Sequence, residues 1–426
     1  MSSVTNNNAN SRPAAFVPTG YDEIALVLQG GGALGSYQAG VYEGLAEAGV
    51  EPHKIAGVSI GALNTAIIAG NAPDKRVEAL RGFWNAICHP RGWLDNLYAW
   101  AAPDFTQHDM VRKWSSMFAA SRALTEGQPG FFAPRYPLPL AGFGKVSPSE
   151  VSYYTTAALK ETLLRFADFD RINDGGICVT VGAVNVRTGN LTNFSNRRER
   201  LTPEHFMASG ALPPGFPAVE IDGEFYWDGG LVSNTPLTEI ISESQHKDAL
   251  VFQVDLWSAR GTLPGDLLDV AERAKDIQYS SRTRAITAFV SQNQKHAQLI
   301  KELLEHIPEK VRRTHPLMKE AQKAADGGVV NIVHLIYKDK FFEGHYKDYE
   351  FSNDTMGEHW TSGLEDIRRS FGNPQWFEIP SRDLGCVTHD VHRYEPAPAA
   401  SADEERAVQA RSEPDDAEAK ELTGAG

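Results

Sequence analysis

The sequence predicts an α/β fold, in which a mostly parallel central sheet carries helices on both faces, followed by an α-rich C-terminal extension. Three apolar runs have the length of buried strands: IALVLQ at 24–29, GICVTVGAVNV at 176–186 and DALVFQVDL at 248–256. The first is followed by SYQAGVYEGLAEAG, whose apolar residues recur every three or four positions, as in a helix ending near Gly49. Strands that alternate with helices along the chain are typical of a sheet covered by helices.

The chain divides into four predicted regions. They are a disordered leader at residues 1–20, the main α/β domain at 21–260, a helical C-terminal extension at 261–395 and an acidic disordered tail at 396–426. The tail is rich in alanine, proline and acidic residues, a composition that buries too little apolar surface to fold. The extension also contains one strand candidate, VVNIVHLIY.

Within the main domain, about residues 74–150 are predicted to be an insertion. It contains four tryptophans and the run FFAPRYPLPLAGFG at 131–144, in which proline excludes a regular helix. The favoured interpretation is that this segment packs over the core. The alternative is a lid or rim whose aromatic side chains, Phe131 and Phe132 among them, lie at a membrane–water interface.

Composition and charge narrow the functional classes. Of the 426 residues, 42% are hydrophobic and 23% are charged, which is a globular composition, and the net charge of −14 argues against nucleic acid as a partner. No apolar run reaches the 18 or so residues of a membrane-spanning helix, and the first residues lack the apolar centre of a secretory signal. The three cysteines are scattered, which disfavours a disulfide framework or a zinc site and predicts a reducing, cytoplasmic compartment.

The glycine-rich segment QGGGALG follows the first predicted strand and has three interpretations. A dinucleotide site would also need an acidic residue at the end of the second strand, but the nearest acid, Glu51, precedes that strand. A phosphate-binding Walker loop is excluded because no Gly-Lys-Ser/Thr follows. The third interpretation is an oxyanion loop, since Gly30, Gly31 and Gly32 let several N–H groups converge before the helix that follows Gly35.

The segment GVSIG places Ser59 between Gly57 and Gly61, after the second predicted strand. A nucleophilic serine on a sharp strand-to-helix turn needs flanking residues without side chains, because the backbone there is crowded. The alternative is a structural serine in a tight turn. A glycine loop after the first strand and a serine after the second would meet at one edge of a parallel sheet, and that arrangement favours the nucleophile.

The base that would accept the serine proton is predicted to be Asp228, in FYWDGGLVSNTP. It ends an aromatic strand, and Gly229 and Gly230 turn the chain directly after it. All histidines except His53 follow Ser59, and none stands in a recognisable catalytic setting. The alternative role for Asp228 is to stabilise the turn, as Asp-Gly pairs commonly do.

Three blocks, taken in order, make the sequence similar to the patatin-like phospholipase family: Gly30 to Gly35, Gly57 to Gly61, and Asp228 to Gly230. The segment ASGALPPGFPAV also resembles a family block, and the similarity extends over about residues 24–245. The resemblance implies a patatin-like three-layer fold with a mostly parallel central sheet. Residues after about 266 look like an extension carried by some bacterial members.

The resemblance also implies a function and the roles of site residues. The family cleaves lipid acyl esters with a Ser–Asp dyad that contains no histidine, and no metal or organic cofactor is implied. Ser59 would attack the carbonyl, Asp228 would accept its proton, and Gly30 to Gly32 would donate N–H groups to the oxyanion. The expected partner is a lipid or acyl-ester substrate, with peripheral contact at a membrane or lipid surface. No oligomeric state is predicted.

One residue departs from the family pattern, since Leu34 stands where members commonly have Arg or Lys. The family's usual substrate preference therefore does not carry over directly. A short-chain esterase or a depolymerase of storage polyester is the alternative within enzymes. The alternative outside enzymes is a non-catalytic lipid- or protein-binding module in which the glycine loop only packs.

Overall fold

The computed structural model describes residues 18–89, 109–138, 146–244, 246–340 and 343–392. At its centre lies a nine-stranded sheet, and a separate two-stranded sheet lies outside it. The strands are β1 (Glu23–Leu28), β2 (Lys54–Val58), β3 (Ala133–Pro134), β4 (Tyr154–Thr155), β5 (Cys178–Asn185), β6 (Leu191–Ser195), β7 (Val219–Ile221), β8 (Glu224–Asp228), β9 (Ala249–Asp255), β10 (Val330–Ile336) and β11 (Cys386–Asp390).

The order of strands across the central sheet is β11-β10-β9-β1-β2-β5-β8-β7, with β6 also paired to β5. The first six strands in that order are parallel to one another, while β6, β7 and β8 add antiparallel pairs at the other side. Strands β1, β2, β5 and β9 are buried along their whole length, as expected when helices cover both faces of a parallel sheet. The predicted α/β fold with a mostly parallel sheet is confirmed.

Helices connect the strands and cover the sheet. They are α1 (Ser36–Glu47), α2 (Ile60–Ala69), α3 (Arg76–Ile87), α4 (Asp109–Glu126), α5 (Ala157–Phe166), α6 (Phe169–Asp174), α7 (Pro203–Ser209), α8 (Leu237–Glu243), α9 (Leu267–Tyr279), α10 (Thr283–Glu305), α11 (Glu309–Thr314), α12 (Pro316–Ala325) and α13 (Asn353–Phe371). Helix α2 is buried on every side, which explains why its sequence, IGALNTAIIA, is small and apolar throughout. None of the described helices combines the length and apolar composition needed to cross a bilayer.

The C-terminal segment predicted as a helical extension forms one compact unit with the N-terminal half. This unit ends at Val391. The segment supplies helices α9 to α13, and it also supplies β10 and β11, which continue the sheet beyond β9. The predicted strand VVNIVHLIY corresponds to β10. Because β10 is buried between β9 and β11, the segment completes the α/β sheet in addition to packing on it.

The predicted insertion contains α3, α4 and β3, and β3 pairs with β4 just after the insertion. Phe131 and Phe132 are both buried, and their rings pack against Phe216, while Phe131 also contacts Phe351. Trp84 is fully buried. These side chains therefore belong to the core, so the idea that the two phenylalanines form a lipid-facing rim is wrong.

Several predictions fall on parts of the chain outside the described residues. Nearly all of the predicted leader and the whole acidic tail lie there, as do Trp93 and Trp100 of the insertion.

Candidate active site

Ser59 occupies a strained turn between β2 and α2. Its φ of 56° and ψ of −125° lie in a region that residues with side chains rarely adopt. The turn is so tight that a Cβ added to Gly61 would lie 2.3 Å from the carbonyl oxygen of Leu28. Ser59 is half-buried, whereas its neighbours on both sides are buried. The backbone thus presents this hydroxyl at the edge of the sheet, as a nucleophile elbow requires.

A second serine holds the elbow. The N–H of Ser59 donates to Oγ of Ser209 over 3.0 Å, and the Ser209 hydroxyl donates to the carbonyl of Gly182 over 2.6 Å. Ser209 ends α7 and is fully buried. The sequence of its segment, ASGALPPGFPAV, does not indicate this role for the serine.

Asp228 lies at the end of β8, on the same edge of the sheet as Ser59. In the strand register Val58 lies beside Gly182, and Asp228 lies opposite Ala183, the next residue of β5. The two predicted dyad residues therefore lie on either side of one strand. Gly229 and Gly230, as predicted, turn the chain after Asp228 in a single 3₁₀ turn.

The Asp228 carboxyl is buried and has no cationic partner among the groups that shift its pKa. Burial raises that pKa from 3.8 to about 7, and the nearby Ser59 hydroxyl and the Gly230 N–H partly oppose the rise. The Gly230 N–H donates to Oδ1 over 2.7 Å. A buried carboxylate that lies near a serine hydroxyl and has a pKa close to 7 can accept the serine proton near neutral pH.

The glycine loop lies beside the elbow, since a Cβ added to Gly30 would be 3.0 Å from Cβ of Ser59. The Gly30 N–H, however, donates to the carbonyl of Asn234 over 3.2 Å. Gly30 is therefore not an oxyanion donor in this arrangement, contrary to the prediction. Among the described residues, no acceptor is seen for the N–H groups of Gly31 and Gly32, which leaves these two predicted donors available.

Two amide side chains that sequence analysis did not single out anchor the loop. Asn234 donates to the carbonyls of Gly30 and Tyr279, and Gln29 donates to the same Tyr279 carbonyl. Trp257 donates from Nε1 to the Gly30 carbonyl over 2.8 Å. Asn234 stands six residues after Asp228, so the sequence indicates that it lies near the turn. The sequence does not indicate its partner, Gly30, which lies more than 200 residues earlier.

The remaining predicted positions are structural. Gly35 ends the 3₁₀ turn of the loop, and Gly57 lies inside β2. Leu34 is fully buried, so it faces the core and does not line the site. Among the described residues no group of three or more potential metal ligands occurs.

Two histidines are paired with carboxylates, which sequence analysis did not detect. Nε2 of His334 lies 2.6 Å from Asp255, and Nε2 of His359 lies 2.5 Å from Glu343. His334 is on β10, which β9 and β1 separate from β2, the strand that precedes Ser59. His359 is on α13 and is fully buried. Neither pair takes the place of Asp228 beside the elbow.

Comparison with known proteins adds family information. A family model described as patatin-like phospholipase matches residues 26–241, just over half of the chain, and a second, described as patatin phospholipase, matches residues 277–383. No curated protein matches the chain. Among solved structures, VipD from Legionella pneumophila is similar at 11% identity and a TM-score of 0.32, over 88% of this chain and 72% of its own.

Proposed function

Because the chain belongs to the patatin-like phospholipase family, we propose that it is a serine hydrolase of lipid acyl esters that uses Ser59 and Asp228 as its dyad. The observation that carries the proposal is the placement of these two residues on either side of β5 at one edge of the sheet, with the Asp228 carboxyl buried. The strained backbone of Ser59 supports it independently, since such strain is concentrated at functional sites.

In the acylation step, Asp228 accepts the proton of Ser59 while Oγ attacks the ester carbonyl carbon. The carbonyl oxygen becomes an oxyanion, and collapse of the tetrahedral intermediate expels the alcohol, which takes up the proton from Asp228. The product is acyl-Ser59. In the second half, Asp228 deprotonates a water that attacks the acyl group, and the proton returns to Ser59 as the fatty acid leaves.

The N–H groups of Gly31 and Gly32 are the proposed oxyanion donors. They lie in the loop beside Ser59, and the N-terminus of α2, which starts directly after Ser59, adds a favourable potential for negative charge. One such donor is typically worth roughly 3–4 kcal/mol to a serine hydrolase. Because a buried carboxylate of pKa about 7 is only a moderate base, we assign a large part of the acceleration to these donors.

We place the lipid contact at a different surface from the insertion. Leu231 and Val232 follow the dyad aspartate by three and four residues, and 41% and 57% of their surfaces are exposed. Helix α9 exposes Leu267, Val270 and Ile277 on one side. These five side chains, which we call the apolar rim, offer a surface for aggregated substrate without anionic-lipid attraction, which suits a chain of net charge −14.

A pair of hydrogen bonds connects α9 to the site. The carbonyl of its last residue, Tyr279, accepts hydrogen bonds from Gln29 and Asn234, which hold the glycine loop.

The orientation of α9 is also unusual. Its Asp276 is buried and pairs with the buried Lys347 over 2.8 Å, so a charged side of the helix faces inward. An amphipathic helix with its apolar residues outward is unusual in water, and contact with lipid explains the arrangement.

The first experiment tests catalysis with a serine-reactive fluorophosphonate probe and a panel of esters from short acyl chains to phospholipids. The wild-type chain should be labelled, and Ser59→Ala should not. Ser59→Ala and Asp228→Asn should each lose hydrolysis while keeping the circular dichroism spectrum. Absence of labelling in a folded wild type would favour a non-catalytic binding module. Exclusive activity on short esters or on a storage polyester would favour the alternative hydrolases.

The same panel of esters tests whether a histidine takes part in catalysis. Substitution of His334 or His359 should not reproduce the loss seen with Asp228→Asn. A histidine variant with unchanged folding that lost about 10³-fold or more in activity, the scale of losing a triad member, would replace the dyad with a triad.

The second experiment tests the apolar rim. Leu231→Ser with Val232→Ser should reduce hydrolysis of phospholipid vesicles by much more than hydrolysis of a soluble short-chain ester. Leu164→Ser is a matched control, because Leu164 is 56% exposed and lies near Asn71, beyond the end of α2 opposite Ser59. Equal losses on both substrates, or the same vesicle defect in the control, would count against the rim.

A further inference from the structure

The helix that follows the glycine loop is fixed from behind by the C-terminal segment. Helices α1 and α13 pack backbone against backbone: a Cβ added to Gly40 would lie 1.9 Å from the carbonyl oxygen of Trp360, and one added to Gly363 would lie 2.0 Å from that of Tyr37. The hydroxyl of Tyr37 also donates to Asp366 over 2.8 Å. Because neither helix has room for a larger residue there, a shift of α13 must displace α1.

The loop itself touches the same segment. The Ala33 N–H donates to the carbonyl of Asp348 over 2.8 Å. Gly32 has a φ of 56°, and a Cβ on it would lie 2.0 Å from the same carbonyl oxygen, so only glycine fits. The Asp348 carboxylate is held in turn by Lys275, whose Nζ lies 2.8 Å from Oδ1. The backbone of Asp348 thus contacts the residue that carries one proposed oxyanion donor and the residue after it.

A buried ionisable pair anchors α13, the helix that packs on α1. His359 is fully buried and its Nε2 lies 2.5 Å from Glu343, which also accepts the Tyr337 hydroxyl over 2.8 Å. Burial lowers the pKa of His359, but the charge of Glu343 outweighs it, and Glu350 and the Ala33 carbonyl add to the rise. Nδ1 of His359 is buried and makes no hydrogen bond of good geometry among the described residues.

We propose that the Glu343–His359 pair and the Asp348 carbonyl are positioning groups for the oxyanion loop. Asp348 fixes the N–H of Ala33, and the hydrogen bond between His359 and Glu343 holds α13, which packs against α1 behind the loop. Together they fix the peptide between Gly32 and Ala33 and the helix after it, and so hold Gly32, whose own N–H lies in the preceding peptide. None of these groups touches the substrate. The inference deepens the proposed function, since it gives the C-terminal segment a part in assembling the same site.

The first test measures the loop without using activity. Hydrogen–deuterium exchange of the peptide covering residues 29–36 should accelerate by about tenfold in His359→Gln, because the loop then opens more easily. His334→Gln is the matched control, since His334 is also a buried histidine of the C-terminal segment paired with a carboxylate. Unchanged loop exchange in His359→Gln, or equal acceleration in the control, overturns the inference whether or not the chain is an enzyme.

The second test measures turnover per functional site. Fluorophosphonate titration counts active sites, and kcat per titrated site on a soluble ester should fall about tenfold in His359→Gln with KM unchanged, less than the roughly 10²–10³-fold cost of deleting a donor. A purely structural role would lower the melting temperature and the number of titratable sites but leave kcat per site intact. If His359→Gln does not fold, Tyr337→Phe, which removes one donor to Glu343, should show a smaller fall in the same direction, and an unchanged kcat per site there overturns the inference.

A wild-type chain that neither reacts with the probe nor cleaves esters would refute the proposed function alone. The exchange experiment would still decide whether the C-terminal segment holds the loop, so the two failures are distinguishable.

Discussion

Replacing the proposed base with its neutral isostere should stabilise the protein while it abolishes activity. In Asp228→Asn the side chain keeps its size and loses the charge that burial disfavours. Folding raises the pKa of Asp228 from 3.8 to about 7. The ionised carboxylate is therefore tolerated less well in the folded state than in the unfolded chain.

The magnitude follows from that shift. The protonated carboxyl is tolerated in the folded state, so its contribution to the free energy of unfolding is fully present below about pH 4. This contribution is lost as the pH rises toward 7 and the carboxyl ionises. At about 1.36 kcal/mol per pKa unit, ionisation of Asp228 costs the fold about 4 kcal/mol by pH 8. Asp228→Asn should thus have the higher free energy of unfolding at pH 8 by up to about that amount, with a gain less than half as large at pH 5.

Denaturant unfolding at the two pH values measures this difference. Ser59→Ala is the control, because it keeps the carboxylate and should retain a pH dependence like that of the wild type. An Asp228→Asn protein that is equally stable or less stable than the wild type at pH 8 would refute the reasoning. So would a gain of equal size at both pH values.

Activity offers a second measurement of the same pKa. If Asp228 must be ionised to accept the proton, kcat/KM of the wild type should rise about tenfold per pH unit below 7 and level off above it. A profile that is flat from pH 5 to pH 8 would show that the base has the ordinary pKa of an aspartate.

The other predictions concern packing and backbone strain. Ser59→Gly should be inactive but more stable by about 1 kcal/mol, because glycine adopts a φ of 56° without strain; an unchanged melting temperature would argue against stored strain. Phe132→Ser should lower stability by about 3–5 kcal/mol and reduce hydrolysis of soluble and aggregated substrates equally, whereas a selective loss on vesicles would restore the lipid-facing interpretation. Lys347→Met should cost about 3–5 kcal/mol in urea unfolding, since it leaves three carboxylates without their buried cation; a neutral result would mean that this ionic cluster is hydrated. Leu34→Arg should express poorly and melt early, because the site is fully buried, and a stable variant with altered head-group preference would show that position 34 reaches the substrate.

The local features of this chain could be predicted from its sequence for identifiable physical reasons. Buried parallel strands are continuous apolar runs, so IALVLQ and DALVFQVDL indicated β1 and β9. The elbow and the turn after Asp228 could be recognised because crowded backbone admits only glycine beside the functional residue. The parallel arrangement of β1 and β2 then required the glycine loop and the elbow at one edge, and the structure has them there.

The long-range contacts could not be predicted in this way. Ser209 holds the elbow from 150 residues away, and Asn234 meets Gly30 across 204 residues. A serine or an asparagine in a loop carries no local mark of its distant partner. The half-buried strand β11, CVTHD, lacks an apolar run and was not predicted. Gly30 was misassigned because a triple glycine does not reveal which N–H is already bonded.

The contact between Gly32 and Asp348 has a consequence for how the protein is made. The two residues are 316 positions apart, so the finished loop cannot exist until nearly all of the chain has left the ribosome. At about 5–20 residues per second, roughly tens of seconds pass between synthesis of the loop and synthesis of its support. During that time β9 has a free edge that β10 will later cover. A nascent chain therefore exposes the unpaired edge of β9 until β10 has been made.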